Sequence, residues 1–314
     1  MKKICVAAAI MLILLSFFGC NKAEEQQDSF KIVCSLFPQY DWIKNITKGA
    51  DNVELVLICD SGSDIHSLQA SARDIIEIEN SDILIYIADF VDGWMADSAN
   101  KAFSLTAIVS PESHEHIHSQ DCDLSHNAYS DEHLWMSLKK AVTFTEKITD
   151  VLCEYNPENA TVYRQNSKEY IQKLVRLDNE YSTLCKSADT NVIVVADRFP
   201  FFHLTNDYSL TCYAAFPGCS ADTDADFDTI INLSEKVVEH DLWAIATTEK
   251  NTGKTAKAVL ENANKKGLYI VEIDSMQSVS EKDIQNGATY LGIMEENLKA
   301  LEKLLKKQQI QKTE

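Results

Sequence analysis

The stretch Pro157-Glu158-Asn159-Ala160-Thr161-Val162-Tyr163, continuing without interruption to Ser187, contains no glycine and no proline after its first residue. Proline suits the first turn of a helix, where its missing N–H has no intrahelical partner to lose. Behind it, Tyr163, Tyr170, Leu174, Leu177, Tyr181 and Leu184 recur at helical spacing and share one face. At about 1.5 Å per residue the segment runs roughly 45 Å. That length predicts a stiff strut joining two lobes.

Short β-branched runs alternate with amphipathic stretches on either side of this segment. Strands are predicted at 31–37, 53–59, 83–87 and 104–109, with helices at 40–48, 70–79 and 90–101. A second series places strands at 191–196, 210–213, 244–248 and 269–273, with helices at 227–240, 255–266 and 285–307. Strands alternating with helices make βαβ units and a parallel sheet. The expected fold class is therefore α/β, with two βα lobes of parallel strands joined by one long rigid helix. The lobes are bounded at 31–155 and 189–314, with the connecting helix at 156–188.

The N-terminus predicts an address outside the cytoplasm. Lys2 and Lys3 precede an apolar run from Ile4 to Phe18, then Gly19 and Cys20, then a polar stretch from Asn21 to Ser29. This has the form of a secretory signal over 1–19, and the run is short for a membrane span. Residues 20–30 then form a linker too polar to pack. The net charge of −19 disfavours nucleic acid as a partner and attracts cations at long range. Beyond Cys5 and Cys20 there are seven cysteines, an odd number, and several lie in apolar-periodic segments. We expect small buried hydrophobes rather than a disulfide framework. Cys212 and Cys219 alone are spaced for one local bridge.

Five of the eight histidines, His114, His116, His118, His126 and His133, fall within twenty residues, together with Asp121, Cys122, Asp123, Asp131 and Glu132. Imidazole is the commonest side-chain metal ligand near neutral pH, and a tract this rich in His and acid points to a divalent metal. The tract ends at Asp131-Glu132-His133-Leu134-Trp135, the start of a helix, so a collecting loop runs into a fixed position. In open parallel sheets, ligands sit beyond the carboxyl ends of the strands. Polar residues that follow predicted strands are His66 and His133 in the first lobe, Asp197 and Asp274 in the second. Two imidazoles and one or two carboxylates suit four-coordinate Zn²⁺, or Mn²⁺ with a fuller shell. His203 and His240 lie within helical segments and are read as non-ligands.

With these residues in view, the chain resembles the zinc/manganese solute-binding lipoproteins of bacterial ABC importers, the ZnuA/TroA type. The matching stretches are Ile32-Val33-Cys34-Ser35-Leu36-Phe37-Pro38, Asp64-Ile65-His66, Ser81-Asp82-Ile83-Leu84-Ile85-Tyr86, Asp131-Glu132-His133-Leu134-Trp135 and Ala288-Thr289-Tyr290-Leu291-Gly292-Ile293-Met294. The resemblance implies that His66, His133 and Asp274 bind metal, that the 113–126 loop is an auxiliary metal loop, and that Cys20 in a lipobox-like setting carries lipid. It also implies a monomer that delivers metal to a membrane permease. One position departs from the family: Ala196 stands where a third ligand, His or Glu, is usual. Asp197, a water, Glu249 or Cys219 are the candidates to fill that place. The expected function is capture of Zn²⁺, with Mn²⁺ the alternative cargo, for ABC import. A secreted zinc hydrolase and a surface adhesin are the competing classes. No clear second carboxylate placed to deprotonate a bound water supports the hydrolase, and no sequence feature marks an adhesive surface.

Overall fold

The computed structural model describes residues 29–62, 68–109, 131–216 and 225–307. The first lobe carries strands β1 (Phe30–Cys34), β2 (Val53–Leu57), β3 (Ile83–Tyr86) and β4 (Ala102–Ser104) with helices α1 (Phe37–Ile46), α2 (Ala72–Glu79) and α3 (Leu105–Val109). Helix α4 (Leu138–Tyr155) leads to α5 (Ala160–Lys186). The second lobe carries β5 (Val192–Val195), α6 (Phe202–Asp207), β6 (Thr211–Ala214), α7 (Phe227–Glu239), β7 (Ala244–Thr248), α8 (Lys254–Ala263), β8 (Tyr269–Ile273), α9 (Glu281–Gln285) and α10 (Tyr290–Leu305).

Each lobe is a four-stranded sheet, ordered β2-β1-β3-β4 in the first and β6-β5-β7-β8 in the second, with every paired strand parallel. The order is the same in both. Chain connections leave β1 and β3, and likewise β5 and β7, towards opposite sides, which opens a crevice beyond the strands' carboxyl ends. The central strands β3 and β5 are Ile-Leu-Ile-Tyr and Val-Ile-Val-Val and are buried throughout, as a strand covered on both faces must be.

The strut is present as a 27-residue helix, α5, entered through a 3₁₀ turn at Pro157–Asn159. Its buried stripe is Tyr163, Ser167, Tyr170, Leu174, Leu177, Tyr181 and Leu184. The first half grips the first lobe: Asn166 Nδ2 donates to the Ile46 carbonyl at 2.9 Å and Tyr170 Oη to Asp41 Oδ2 at 3.3 Å. The second half grips the second lobe, with Tyr181 Oη donating to the Met294 carbonyl at 2.6 Å and Tyr208 Oη to Asp178 Oδ1 at 2.8 Å.

One apolar core runs from β1 and β3 through α1, α4 and α5 to β5, β7 and α10. Trp42 sits at its centre, 5.6 Å from the Phe144 ring and 5.2 Å from that of Tyr290. A smaller cluster under α7 and α8 closes the outer face of the second sheet.

Two predicted elements differ. The run expected as a strand at 104–109 is the end of β4 followed by α3. The helix expected over 90–101 is only a 3₁₀ turn at Gly93–Met95. Asp92 explains the second: its buried carboxylate accepts the Ile87 and Ala88 amides at 2.9 Å each, which ties the chain into a turn instead of a helix. The helix expected over 285–307 is two, broken around Gly287, whose φ is +98°.

Candidate metal centre

His133 lies where the two lobes meet, at the entry to the turn Leu134–Met136 that precedes α4. The local sequence anchors it on both sides. Trp135 is buried and donates its Nε1–H to the Ser275 carbonyl of the second lobe at 2.8 Å; its own carbonyl accepts from Tyr290 Oη at 2.6 Å. Ser137 caps α4 by accepting the Lys140 amide at 3.0 Å and donates to Asp207 Oδ2 at 2.6 Å. The histidine is therefore fixed by both lobes before any ligand arrives.

The imidazole is 2 % exposed and its two nitrogens have different partners. Asp131 Oδ1 is 2.9 Å from Nδ1 and also accepts the His133 backbone amide at 2.8 Å. A carboxylate accepts, so the proton sits on Nδ1 and Nε2 presents a lone pair, the tautomer used by metal-bound histidines. Asp131 is itself held by His203, whose Nε2–H donates to the Asp131 carbonyl at 3.0 Å. Burial pushes the Asp131 carboxyl up, but the hydrogen bond and charge of His133 and the charge of His203 outweigh it and leave the group below its ordinary range. Burial lowers the His203 pKa.

On the Nε2 side stand two residues. Gln277, 4 % exposed and on the turn after β8, places Nε2 2.7 Å from His133 Nε2, with the amide donating. Glu132 places Oε1 3.9 Å from the same nitrogen. Among the described residues, Asp131, Glu132 and His133 are the group whose ligand atoms come close enough to hold a metal ion.

Of the residues expected to bind metal, His66, the loop histidines His114, His116, His118 and His126, and the lipidation residue Cys20 lie outside the described residues. So does Cys219, while Cys34, Cys153, Cys185 and Cys212 are free thiols. Asp197, an expected ligand, has its carboxylate in hydrogen bonds within its own lobe. Its Oδ1 accepts the Arg198 amide at 2.8 Å and its Oδ2 the Thr248 amide at 3.0 Å, with the Thr248 hydroxyl and the Asn251 amide on Oδ2 as well. Those four bonds use the carboxylate to tie the ends of β5 and β7 together, as Asp92 ties the loop after β3.

Asp274, the other expected carboxylate ligand, sits on the turn after β8. Its Oδ1 caps the turn by accepting the Met276 amide at 2.7 Å, and it lines a groove between β8 and α10. Burial and the charge of Glu249 raise its pKa to about 6. Glu249 is committed to Ser275, accepting its amide at 2.8 Å and its hydroxyl at 2.7 Å. The residue of this turn that reaches His133 is Gln277, which sequence reasoning missed. The available signal was its place, three residues past the acid expected at the end of β8; an uncharged amide carries no ligand signature of its own.

Around the mouth, the segment after β2 crosses to the second lobe. Glu281 N donates to the Asp60 carbonyl at 2.7 Å, and Ser61 and Ser280 form an antiparallel bridge. Gly62 has φ +73°, and a Cβ there would stand 3.1 Å from the Ser278 carbonyl oxygen, so glycine is needed for this approach.

Known proteins resemble this chain in sequence and in fold. The high-affinity zinc uptake system protein ZnuA of Bacillus subtilis (strain 168) is 26 % identical over 311 residues, covering 94 % of this chain and 94 % of that protein. The zinc-binding protein AdcA of Streptococcus pyogenes serotype M3 is 25 % identical over 316 residues, covering 93 % of this chain. This chain spans about 60 % of the length of that relative. The Zn(II)-bound ZnuA-like domain of Streptococcus pneumoniae AdcA superposes with a TM-score of 0.71 at 24 % identity, covering 89 % of this chain and 100 % of the domain, and shares its fold. Residues 32–304 match the family described as ZnuA, zinc-uptake complex component A, periplasmic, and the chain belongs to that family.

Proposed function

We propose that this protein captures Zn²⁺ outside the cytoplasmic membrane and delivers it to an ABC permease, acting as a monomer held to the membrane by lipid on Cys20. The observation that carries the proposal is His133: a buried imidazole at the junction of two βα lobes, its Nδ1–H taken by Asp131 and its Nε2 turned towards Gln277 of the second lobe. A carboxylate behind an imidazole raises its basicity and fixes its direction, as at many zinc sites. His66 is proposed as the second nitrogen ligand. The loop histidines His114, His116, His118 and His126 are proposed to gather zinc near the cleft. Imidazole nitrogen favours Zn²⁺ over Mn²⁺, which suits carboxylate and water.

Carriage and not catalysis is the proposed role. A carrier needs a ligand set that closes and opens, and no nucleophile or general base. No observation favours the hydrolase or adhesin alternatives.

The test is metal binding by the purified chain lacking residues 1–19. Competition against a chromophoric chelator should show one tight zinc equivalent that His133→Ala abolishes. Deleting 112–125 should remove weaker equivalents and keep the tight one. A His133→Ala variant that binds zinc as tightly as the parent chain would overturn the reading.

A further inference from the structure

We infer that Tyr290 is a positioning residue for zinc capture, its hydroxyl fixing the Trp135 peptide and, through the Trp135 ring, the direction in which His133 presents Nε2. The inference rests on the zinc-capture reading above and deepens it.

The first argument is how the histidine is carried. Its imidazole lies against the Trp135 ring, with centroids 5.1 Å apart and planes inclined at 59°. The main chain couples the two residues again, because the Met136 amide donates to the His133 carbonyl at 3.0 Å and closes the turn over Trp135. A tilt of the tryptophan is therefore felt at the imidazole. A zinc ligand has little room for such a tilt, since its lone pair must point along a bond of about 2.0–2.1 Å.

The second argument is how Trp135 is held. The second lobe fastens it at two points: the Ser275 carbonyl accepts its Nε1–H at 2.8 Å, and Tyr290 Oη donates to its carbonyl at 2.6 Å. The indole bond fixes the far end of the side chain. The hydroxyl bond fixes the peptide from which that side chain springs. With the second bond gone, the residue is free to turn about the first.

The third argument is the anchorage of Tyr290 itself. It is fully buried in the first turn of α10, and its amide donates to Asp41 Oδ2 at 3.0 Å, the oxygen that also takes the Tyr170 hydroxyl of α5. Its ring stands edge-on to Trp42 of α1 at 5.2 Å. Helices α1, α5 and α10 thus agree on where the hydroxyl lies. Burial holds the phenol well above its ordinary pKa, so it remains a donor at neutral pH. Tyr181 makes a matching bond without that role. It is also fully buried and donates at 2.6 Å, but to the Met294 carbonyl within α10 rather than to one in the His133 turn.

The experiment compares the parent chain with Tyr290→Phe, Tyr181→Phe and His133→Ala. Each Phe variant keeps the ring and strands one buried carbonyl, so each should lower the metal-free melting temperature by about 3–6 °C. A loss of that size leaves the chain folded at room temperature and does not by itself change the Kd of the folded form. Zinc affinity is measured by chelator competition, and the visible absorption of Co²⁺-loaded protein reports the coordination sphere. Tyr290→Phe should raise the zinc Kd about tenfold and alter the cobalt bands. Tyr181→Phe should keep the parent's bands and a Kd within about twofold of the parent's. Equal Kd values and identical cobalt spectra for the two Phe variants, with binding still lost in His133→Ala, would overturn the role of Tyr290 and leave the zinc site standing. A parent chain that binds no zinc would overturn both readings.

Discussion

At the scale of single residues, carboxylates at the strand ends divide into braces and charges. Asp197 is a brace, 4 % exposed, with donors from β5, β7 and the loop beyond. Removing it strands the Thr248 and Arg198 amides in a buried place, and each unsatisfied donor costs about 1–3 kcal/mol. Asp197→Ala should therefore lower stability by about 3 kcal/mol in urea unfolding while the zinc Kd changes less than about threefold. A steep loss of zinc affinity with unchanged stability would restore Asp197 as a ligand. Asp274 behaves differently, because burial and Glu249 raise its pKa from 3.8 to about 6. A carboxyl whose folded pKa is raised stabilises the fold below its unfolded value, and that contribution is lost as pH climbs through the folded value. Metal-free protein should thus lose about 2 kcal/mol between pH 4 and pH 7 through this residue. In Asp274→Asn, which keeps the acceptor for Met276, melting temperatures measured across that range should lack this decline. The chemistry of the site was partly legible at this scale. His133 announces itself through its acidic neighbours and Trp135. Gln277 does not, since its role comes from a turn that carries it across the cleft.

At the scale of elements, the strut sets what the molecule is able to do. Helix α5 spans about 40 Å at 1.5 Å per residue and is tied to the first lobe through Asn166 and Tyr170 and to the second through Tyr181. A helix pinned at both halves resists a wide hinge. Small-angle scattering should give radii of gyration for metal-free and zinc-loaded protein that agree within about 1 Å, against the larger contraction of hinge-closing binding proteins. The strut was legible because one-sided apolar spacing continues for about six turns, from Tyr163 to Leu184. So were β3 and β5, as unbroken β-branched and aliphatic runs. Short segments were harder. Leu105–Val109 is a five-residue, largely apolar segment too short for its period to distinguish strand from helix. The loop after β3 was misread for another reason: Asp92 bonds backbone amides five and four residues earlier, and that contact exists only once the fold brings them together.

At the scale of the whole molecule, the lobes share a core. Residues of β1 and β3, of α1 and α4, and of β5, β7 and α10 belong to one contiguous apolar cluster, with Trp42, Phe144 and Tyr290 in ring contact. Two lobes without a separable core should unfold together. Calorimetry of metal-free protein should give a single transition with matching calorimetric and van't Hoff enthalpies, and two resolved peaks would contradict the shared core. Both sheets have the same strand order with every pair parallel, and the parallel pairing followed from the alternation of strands and helices. The contacts that close the mouth did not, because they join backbone to backbone and leave no trace in side-chain pattern. The bridge from Asp60 and Ser61 to Ser280 and Glu281 gives the protein a built-in gauge. The Glu281 amide proton is sheltered only while the mouth is shut, so its exchange with deuterated solvent counts openings one at a time. Zinc that holds the mouth shut should slow that single exchange rate more than those of amides inside β3 or β5, turning one backbone hydrogen into a clock for cargo release.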